Sequence, residues 1–129
     1  MLYRVTLHLA RSPEFPGGSA QHSYEIVAPL DADGHLDGRA WDREREFCAV
    51  RRVWAGEPDR LGQLLHRAGG AGGATWIIDY DDASLEDDER GYRFDRHIFV
   101  PGEYVTLSDP HGAHTFRIID VEPSSQQPT

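Results

Sequence analysis

Polar side chains that could hold a ligand flank a glycine-rich stretch in the middle of the chain. Four glycines lie within residues 69–73, and successive backbone N–H groups in such a loop can converge on an anion. An arginine beside the loop adds a forked, always-charged donor that suits carboxylate or phosphate. The sequence therefore predicts a ligand site around this loop, formed by His66, Arg67, Trp76, Asp79, Tyr80 and His97.

Each of these residues has an expected role in that site. Arg67 would hold an anionic group, Trp76 or Tyr80 would stack on a ring, and Asp79 would orient a histidine. The stretch lacks the Gly-Lys-Ser/Thr ending of a P-loop. A strand rather than a helix is expected after the glycines, which excludes the dinucleotide fingerprint. The alternative interpretation is a hairpin loop without a ligand.

Seven histidines raise the question of a metal site. None lies in a His-Glu-x-x-His arrangement, but ligands drawn from different strands leave no spacing pattern. The alternative function is therefore a metal-assisted enzyme that uses histidines and carboxylates from neighbouring strands. Asp31, Asp33 and Asp37 lack EF-hand spacing and are interpreted as a turn followed by a helix N-cap. The spacing predicts no metal ligands, identifies neither a cofactor nor a catalytic residue, and leaves open whether the protein is an enzyme.

Nucleophilic catalysis has little support in the sequence. Cys48 lies in an apolar run and is interpreted as a small core residue. The chain contains no Gly-x-Ser-x-Gly motif. Residues 79–89 include seven acidic residues, whose mutual repulsion favours a hydrated loop.

The charge and composition narrow the class of protein further. The net charge of −9 disfavours binding to nucleic acid, and all 13 basic residues are arginine. The absence of lysine and asparagine is typical of a GC-rich bacterial genome. Residues 1–11 alternate between polar and apolar types rather than forming the apolar core of a signal peptide, and no run is long enough to span a bilayer. We therefore expect an acidic cytoplasmic protein that binds neither nucleic acid nor membrane.

Alternating apolar residues predict the elements that must position these side chains. The pattern predicts a mainly β fold, a small antiparallel β-barrel or sandwich of seven to eight strands, with one short α-helix over 38–46. Asp37 is the expected N-cap, and Trp41 is expected to anchor the helix to the sheet. Arg51 and Arg52 should face opposite sides of a strand, one solvated and the other paired with a helix acid. The predicted strands cover residues 3–9, 22–30, 47–54, 61–67, 74–80, 92–100, 103–108 and 114–121.

Two hairpins carry explicit register predictions. In the first, Leu65 faces Trp76 and Gln63 faces Ile78, which puts His66 and Asp79 on one face and Arg67, Trp76 and Tyr80 on the other. In the second, Asp109 and Gly112 bound a type I turn. That register separates an apolar face from a polar one, and adjacent Ile118 and Ile119 indicate a β-bulge. The apolar face consists of Val105, Leu107, Phe116 and Ile118.

Several segments of the sequence resemble a group of uncharacterised small conserved hypothetical proteins of proteobacteria. The resemblance rests on residues 24–37, His66-Arg67, Trp76 with Asp79-Tyr80, and Pro101-Gly-Glu-Tyr-Val105. It extends over most of the chain, short of its last residues. The group has no established activity, so the resemblance implies no catalytic residues.

Together these observations predict a single β domain over residues 1–122 and a disordered tail over 123–129. The expected function is a small-ligand- or partner-binding β-barrel module, whose partner is a small anionic ligand or a protein. The oligomeric state is expected to be a monomer or a homodimer. A purely structural subunit is the third interpretation, which an exposed sheet edge would favour.

Overall fold

The protein forms a closed antiparallel β-barrel. The computed structural model describes residues 1–67, 75–80, 89–92, 94, 97–109 and 112–127. Eight strands follow one another around the barrel in chain order, and the last pairs with the first. They are β1 (Leu2–Leu9), β2 (Ser19–Pro29), β3 (Ala49–Val53), β4 (Arg60–Arg67), β5 (Thr75–Asp79), β6 (Glu89–Tyr92), β7 (Tyr104–Asp109) and β8 (Gly112–Pro123). The predicted barrel class is therefore confirmed.

The core follows from the period-2 alternation of the strands, because alternate side chains point into the barrel. On β1 these are Val5, Leu7 and Leu9, and on β2 they are Tyr24 and Ile26. A single cluster of buried side chains fills the interior. Cys48 is fully buried in this cluster, as the sequence predicts.

One short helix, α1 (Gly38–Glu44), packs against the barrel between β2 and β3. The Asp37 carboxylate accepts hydrogen bonds from the backbone N–H groups of Arg39 and Ala40, so the predicted N-cap is confirmed. The helix ends two residues earlier than expected and continues as a 3-10 turn over Arg45–Phe47. The Trp41 indole N–H donates to the Leu64 carbonyl at 2.8 Å, which fixes the helix to β4 as predicted.

The β4–β5 register differs from the predicted one by a single residue. Leu64 faces Ile78 and His66 faces Trp76. His66 therefore shares the inner face with Trp76 and Tyr80, and the predicted grouping of His66 with Asp79 is wrong. The reason lies in the adjacent apolar pairs Leu64-Leu65 and Ile77-Ile78, which make either face of the ribbon acceptable to the core.

The β7–β8 hairpin has the predicted register. Val105 faces Phe116, and both side chains are buried. Thr106 and Thr115 face each other on the outer side, with their hydroxyls 3.2 Å apart. The predicted bulge is also confirmed, because Thr6 pairs with Asp120 and Leu7 with Ile118, which leaves Ile119 as the extra residue.

Two segments differ from their predicted boundaries. The sixth strand begins at Glu89, within a segment expected to be a solvated loop, and ends at Tyr92. Ser124 and Gln127, within the segment 123–129 that the sequence predicts as a disordered tail, make hydrogen bonds to Leu2. The glycine loop, most of the acidic run, Asp95-Arg96 and the tip of the last hairpin lie outside the described residues.

Candidate functional site

The barrel has two ends with different chemistry. Strands β1, β3, β5 and β7 all begin at one end, which α1 covers, and we call it the helix end. The same strands finish at the opposite end, where inward-facing arginines lie on β3 and β4, and we call it the arginine end. Because Tyr80 lies four positions after Trp76 on an extended chain, their Cα atoms are about 13 Å apart. Trp76 therefore lies toward the helix end and Tyr80 toward the arginine end.

This geometry divides the residues predicted to form one site. His66 and Trp76 contact each other at the helix end, with ring centroids 4.3 Å apart. Tyr80 is buried at the arginine end under the guanidinium of Arg60. Asp79 is half-buried opposite Gln63, on the face away from His66. The other two members are Arg67, exposed at the end of β4, and His97, half-buried beyond β6.

The His66 ring is held tightly between aromatic neighbours. It stacks on Trp76 at an interplanar angle of 24° and meets Trp41 edge-on. A Cβ added to Gly38 would lie 2.6 Å from the His66 ring, so only glycine permits this approach of the helix. An open depression of about 810 Å³ lies beside the ring. Its charged lining is mixed: Asp31, Asp37, Arg39, Asp42 and Arg43.

The arginine end concentrates positive charge near aromatic rings. Arg52 on β3 and Arg60 on β4 are register partners. Both follow the inward parity of buried neighbours, Val50 and Leu64 respectively. The Arg52 guanidinium lies 4.3 Å from the Trp54 ring centroid, and that of Arg60 lies 4.3 Å from the Tyr80 ring centroid. A cation–π contact of this kind orients the planar guanidinium, and its N–H donors are then held in a fixed direction relative to the ring.

His22 completes this end of the barrel from β2. Its side chain continues the inward row of Tyr24 and Ile26 and is only 8% exposed. Its Nδ1 lies 2.7 Å from the Ser19 hydroxyl, which fixes the orientation of the ring. The imidazole meets the Trp54 ring edge-on, with centroids 4.4 Å apart, and the centroid of the Phe15 ring lies 4.8 Å from that of the imidazole.

A depression of about 690 Å³ opens beside these rings. Its walls are the segment 9–15, the rings of His22 and Trp54, and residues 113–115 at the start of β8. The hydrogen bond from Ala10 N–H to the Thr115 carbonyl joins two of these walls. Phe15 is held over the depression by a tight turn, in which Ser12 and Phe15 exchange backbone hydrogen bonds. We take this depression, called the Trp54 pocket below, as the candidate functional site.

Basic side chains lie close to the Trp54 pocket despite the acidic composition of the chain. Burial lowers the pKa of His22, and the neighbouring Arg52 and His114 lower it further. Glu57 acts in the opposite direction but has the smallest effect. His114 contacts the Trp54 ring at 5.7 Å, and Arg11 also lines the pocket. The lowered pKa of His22 thus reflects its burial first and the neighbouring basic groups second.

One group of potential metal ligands occurs among the described residues, on the loop between β2 and α1. The side-chain ligand atoms of Asp31, Asp33 and His35 lie within 4.8 Å of one another. The Asp31 carboxylate already accepts the backbone N–H groups of His35 and Asp33, and these hydrogen bonds lower its pKa. These hydrogen bonds are those of a turn, as the sequence predicts. All three side chains come from this exposed loop, and no ligand in the group comes from a neighbouring strand.

The thiol of Cys48, the one cysteine in the sequence, is not reactive. Burial raises the pKa of Cys48 to about 12, and the nearby Glu44 carboxylate contributes. Its Sγ lies 3.5 Å from the Glu44 carbonyl oxygen. A nucleophilic cysteine needs a stabilised thiolate, so this residue is structural.

The sequence contains a signal for the Trp54 pocket that the prediction did not use. His22 has the same parity as Tyr24 and Ile26 on a predicted strand, and Arg52 has the parity of Val50 and Trp54. A charged or titratable residue at an inward position of a strand is costly unless it is partnered, and this marks a site for inspection. Phe15 carries no such signal, because it comes from a loop.

Comparison with protein-family models, with curated proteins and with solved structures gives no match. Within the described residues, no helix has the length and apolar character needed to cross a membrane. The function therefore has to be argued from the geometry and charge of the site.

Proposed function

We propose that the protein is a small-ligand-binding β-barrel module whose ligand is a small anion held in the Trp54 pocket. The observation that carries this proposal is the pairing of a buried, oriented His22 with Trp54, across whose ring Arg52 lies. Ligand pockets commonly combine apolar walls with a few fixed polar groups, and the mouth of a β-barrel is a frequent location for them. A cytoplasmic location remains part of the proposal.

Arg52 supplies a charge that water screens poorly. Its side chain is only 12% exposed, and its ion pair with Glu57 is long, at 3.8 Å. A guanidinium in a low-dielectric setting attracts an anion more strongly than an exposed one does. Arg52 lies over the Trp54 ring and does not line the pocket, so Arg11 and the two histidines are the groups that would contact the anion directly.

The closed sheet also favours a ligand in the mouth over a partner at an edge. Each of the eight strands pairs with two neighbours, so the described sheet offers no open edge for an added strand. The closed sheet therefore disfavours the interpretation of the protein as a purely structural subunit that assembles through strand pairing.

The test is an NMR titration with acetate as the anionic probe and methylammonium as the cationic one, at constant ionic strength. We expect acetate to shift the Trp54 indole signal and the His22 and His114 imidazole signals saturably. Methylammonium should not do so. The Trp76 indole signal, about one barrel length away, should be unaffected by either ion.

Neighbouring arginines on β3 provide a matched pair of variants. Arg52→Met should weaken acetate binding at least fivefold, because it removes the inward charge. Arg51→Met removes an equal charge from the outer face, where Arg51 pairs with Asp59, and should leave binding unchanged. Equal responses to acetate and methylammonium, or equal losses in the two variants, would overturn the proposal.

A further inference from the structure

The walls of the Trp54 pocket point to the class of anion that it takes. Resting on the proposed function, we infer that the ligand is a monocarboxylate with a short apolar body, rather than a free inorganic anion. The carboxylate would lie toward the cationic groups, and its apolar body would lie along the ring and methyl surfaces of the pocket.

The apolar part of the pocket is contributed by three separate segments. Leu9, Ala10 and Phe15 line it from the end of β1 and the loop that follows. Trp54 lines it from β3, and Ala113 from the start of β8. A bare phosphate or sulfate would leave these surfaces in contact with water, whereas an apolar body would remove area from water on both sides.

The charge balance favours one negative charge on the ligand. Glu57 faces Arg52, and Glu14 lies in the pocket wall, so the two arginines, Arg52 and Arg11, are already partly offset. His22 favours its neutral form because burial and the neighbouring positive charges lower its pKa. The formal charges of Arg52 and Arg11 are thus matched in number by those of Glu57 and Glu14, so the pocket lacks the surplus positive charge that a dianion would need, and a monocarboxylate is the anion that costs least to bind.

The pocket is large enough for more than a headgroup. Its volume of about 690 Å³ lies in the range of pockets that hold drug-sized ligands. His22 and Trp54 form one side, and Phe15 is fixed over them by its turn and by its contact with the His22 ring. A short acyl chain or a single ring fits within this volume.

The experiment is a chain-length series that keeps the headgroup constant. Dissociation constants for acetate, butyrate and hexanoate would be measured by NMR titration on the wild-type protein. Full burial of a methylene corresponds to about a fourfold gain in affinity, so even partial burial should make hexanoate bind at least about tenfold more tightly than acetate. Hexanol, which has the same chain without the charge, should bind more weakly than hexanoate.

The comparison compounds separate failure of this inference from failure of the proposed function. If inorganic phosphate binds the pocket more tightly than hexanoate, or if affinity does not rise with chain length, the ligand class is wrong while anion binding stands. If hexanol binds as tightly as hexanoate, the charge has no role and both conclusions are overturned. Absence of binding by every anion would also overturn both.

Two variants place the chain-length effect in the pocket. Phe15→Ala should reduce the ratio of hexanoate to acetate affinity at least threefold. Leu61→Ala removes an apolar side chain that is exposed elsewhere on β4, and should preserve the ratio. A ratio that is equally reduced in both variants would contradict the assignment of Phe15 as a wall of the site.

Discussion

Individual residues at the arginine end define the chemistry of this barrel. His22 is buried, hydrogen-bonded to Ser19 and surrounded by the rings of Phe15 and Trp54. The polar residue types were visible in the sequence, and the opposite orientation of Arg51 and Arg52 was predicted correctly. The ion-pair partners of the two arginines were not predicted correctly, because Glu57 and Asp59 come from the turn between β3 and β4 rather than from the helix. Ion-pair partners depend on loop geometry, which alternation does not encode.

The lowered pKa of His22 makes a prediction about the pH dependence of stability. The unfolded chain takes up a proton at the ordinary histidine value of 6.5, whereas the folded protein resists protonation. The unfolded state therefore binds more protons as the pH falls below about 6.5, and the free energy of unfolding should decrease in that range. Urea unfolding at pH 7.5 and pH 5.0 measures the effect.

Replacing the histidine separates its contribution from those of other groups. His22→Gln should show a smaller loss of stability between the two pH values than the wild-type protein. His8→Gln, on the outer face of β1, is the matched control and should keep the wild-type pH dependence. Identical pH dependence in the wild-type protein and His22→Gln would contradict the prediction. The lowered pKa of Asp31 affects the free energy of unfolding only near and below its usual value of 3.8, which lies outside the range from pH 7.5 to pH 5.0.

At the scale of elements, the success of prediction depended on how strictly each strand alternates. The β7–β8 hairpin alternates cleanly around a defined turn, so its register followed from the sequence. In the β4–β5 hairpin, paired apolar residues on both strands left two registers acceptable. The contact that selects the observed one involves α1, because Gly38 and Trp41 pack on His66. A contact with a helix from another part of the chain has no signature in the local pattern.

This packing predicts a measurable conflict at the first position of the helix. Gly38→Ala should destabilise the protein by about 1–3 kcal/mol, because the added Cβ would meet the confined His66 ring at 2.6 Å. Helix propensity by itself would favour alanine, so a loss of stability would identify the steric contact. Denaturant unfolding of the variant provides the measurement.

A double-mutant cycle gives the control for this contact. The cost of Gly38→Ala should largely disappear in a His66→Ala background, where the ring is absent. Gly17→Ala, at a position where a Cβ would meet no atom within 4 Å, should change stability little. An undiminished cost in the His66→Ala background would show that the helix start, rather than the ring, requires glycine.

For the whole molecule, closure of the barrel depends on how its first and last strands meet. The barrel class, the number of strands and the bulge at Ile119 could be predicted, since alternation, turn residues and the Ile118-Ile119 pair all appear in the sequence. The pairing of β1 with β8 could not, because strands more than a hundred residues apart share no local pattern. The structure also places the Gln127 side chain amide against the backbone of Leu2, with hydrogen bonds of 2.8 and 2.7 Å.

The Gln127 contact should contribute to the stability of the closed barrel. Gln127→Ala removes one acceptor and one donor for the Leu2 backbone and should lower the free energy of unfolding by about 1 kcal/mol. Gln126→Ala changes the adjacent, exposed side chain and should have almost no effect. The two variants would be compared by denaturant unfolding, and equal stabilities would show that the amide contact is not stabilising.

The ring of strands has a consequence for how the molecule opens. In an open sheet the outer strands can detach first, and their amide hydrogens exchange with solvent at little free-energy cost. Here β1 and β8 pair with each other as interior strands do, so the release of either strand breaks backbone hydrogen bonds to two neighbouring strands. Slow amide exchange on β1 and β8, with protection equal to that of β2, would identify the barrel as one cooperative unit rather than a sheet that frays from its margins.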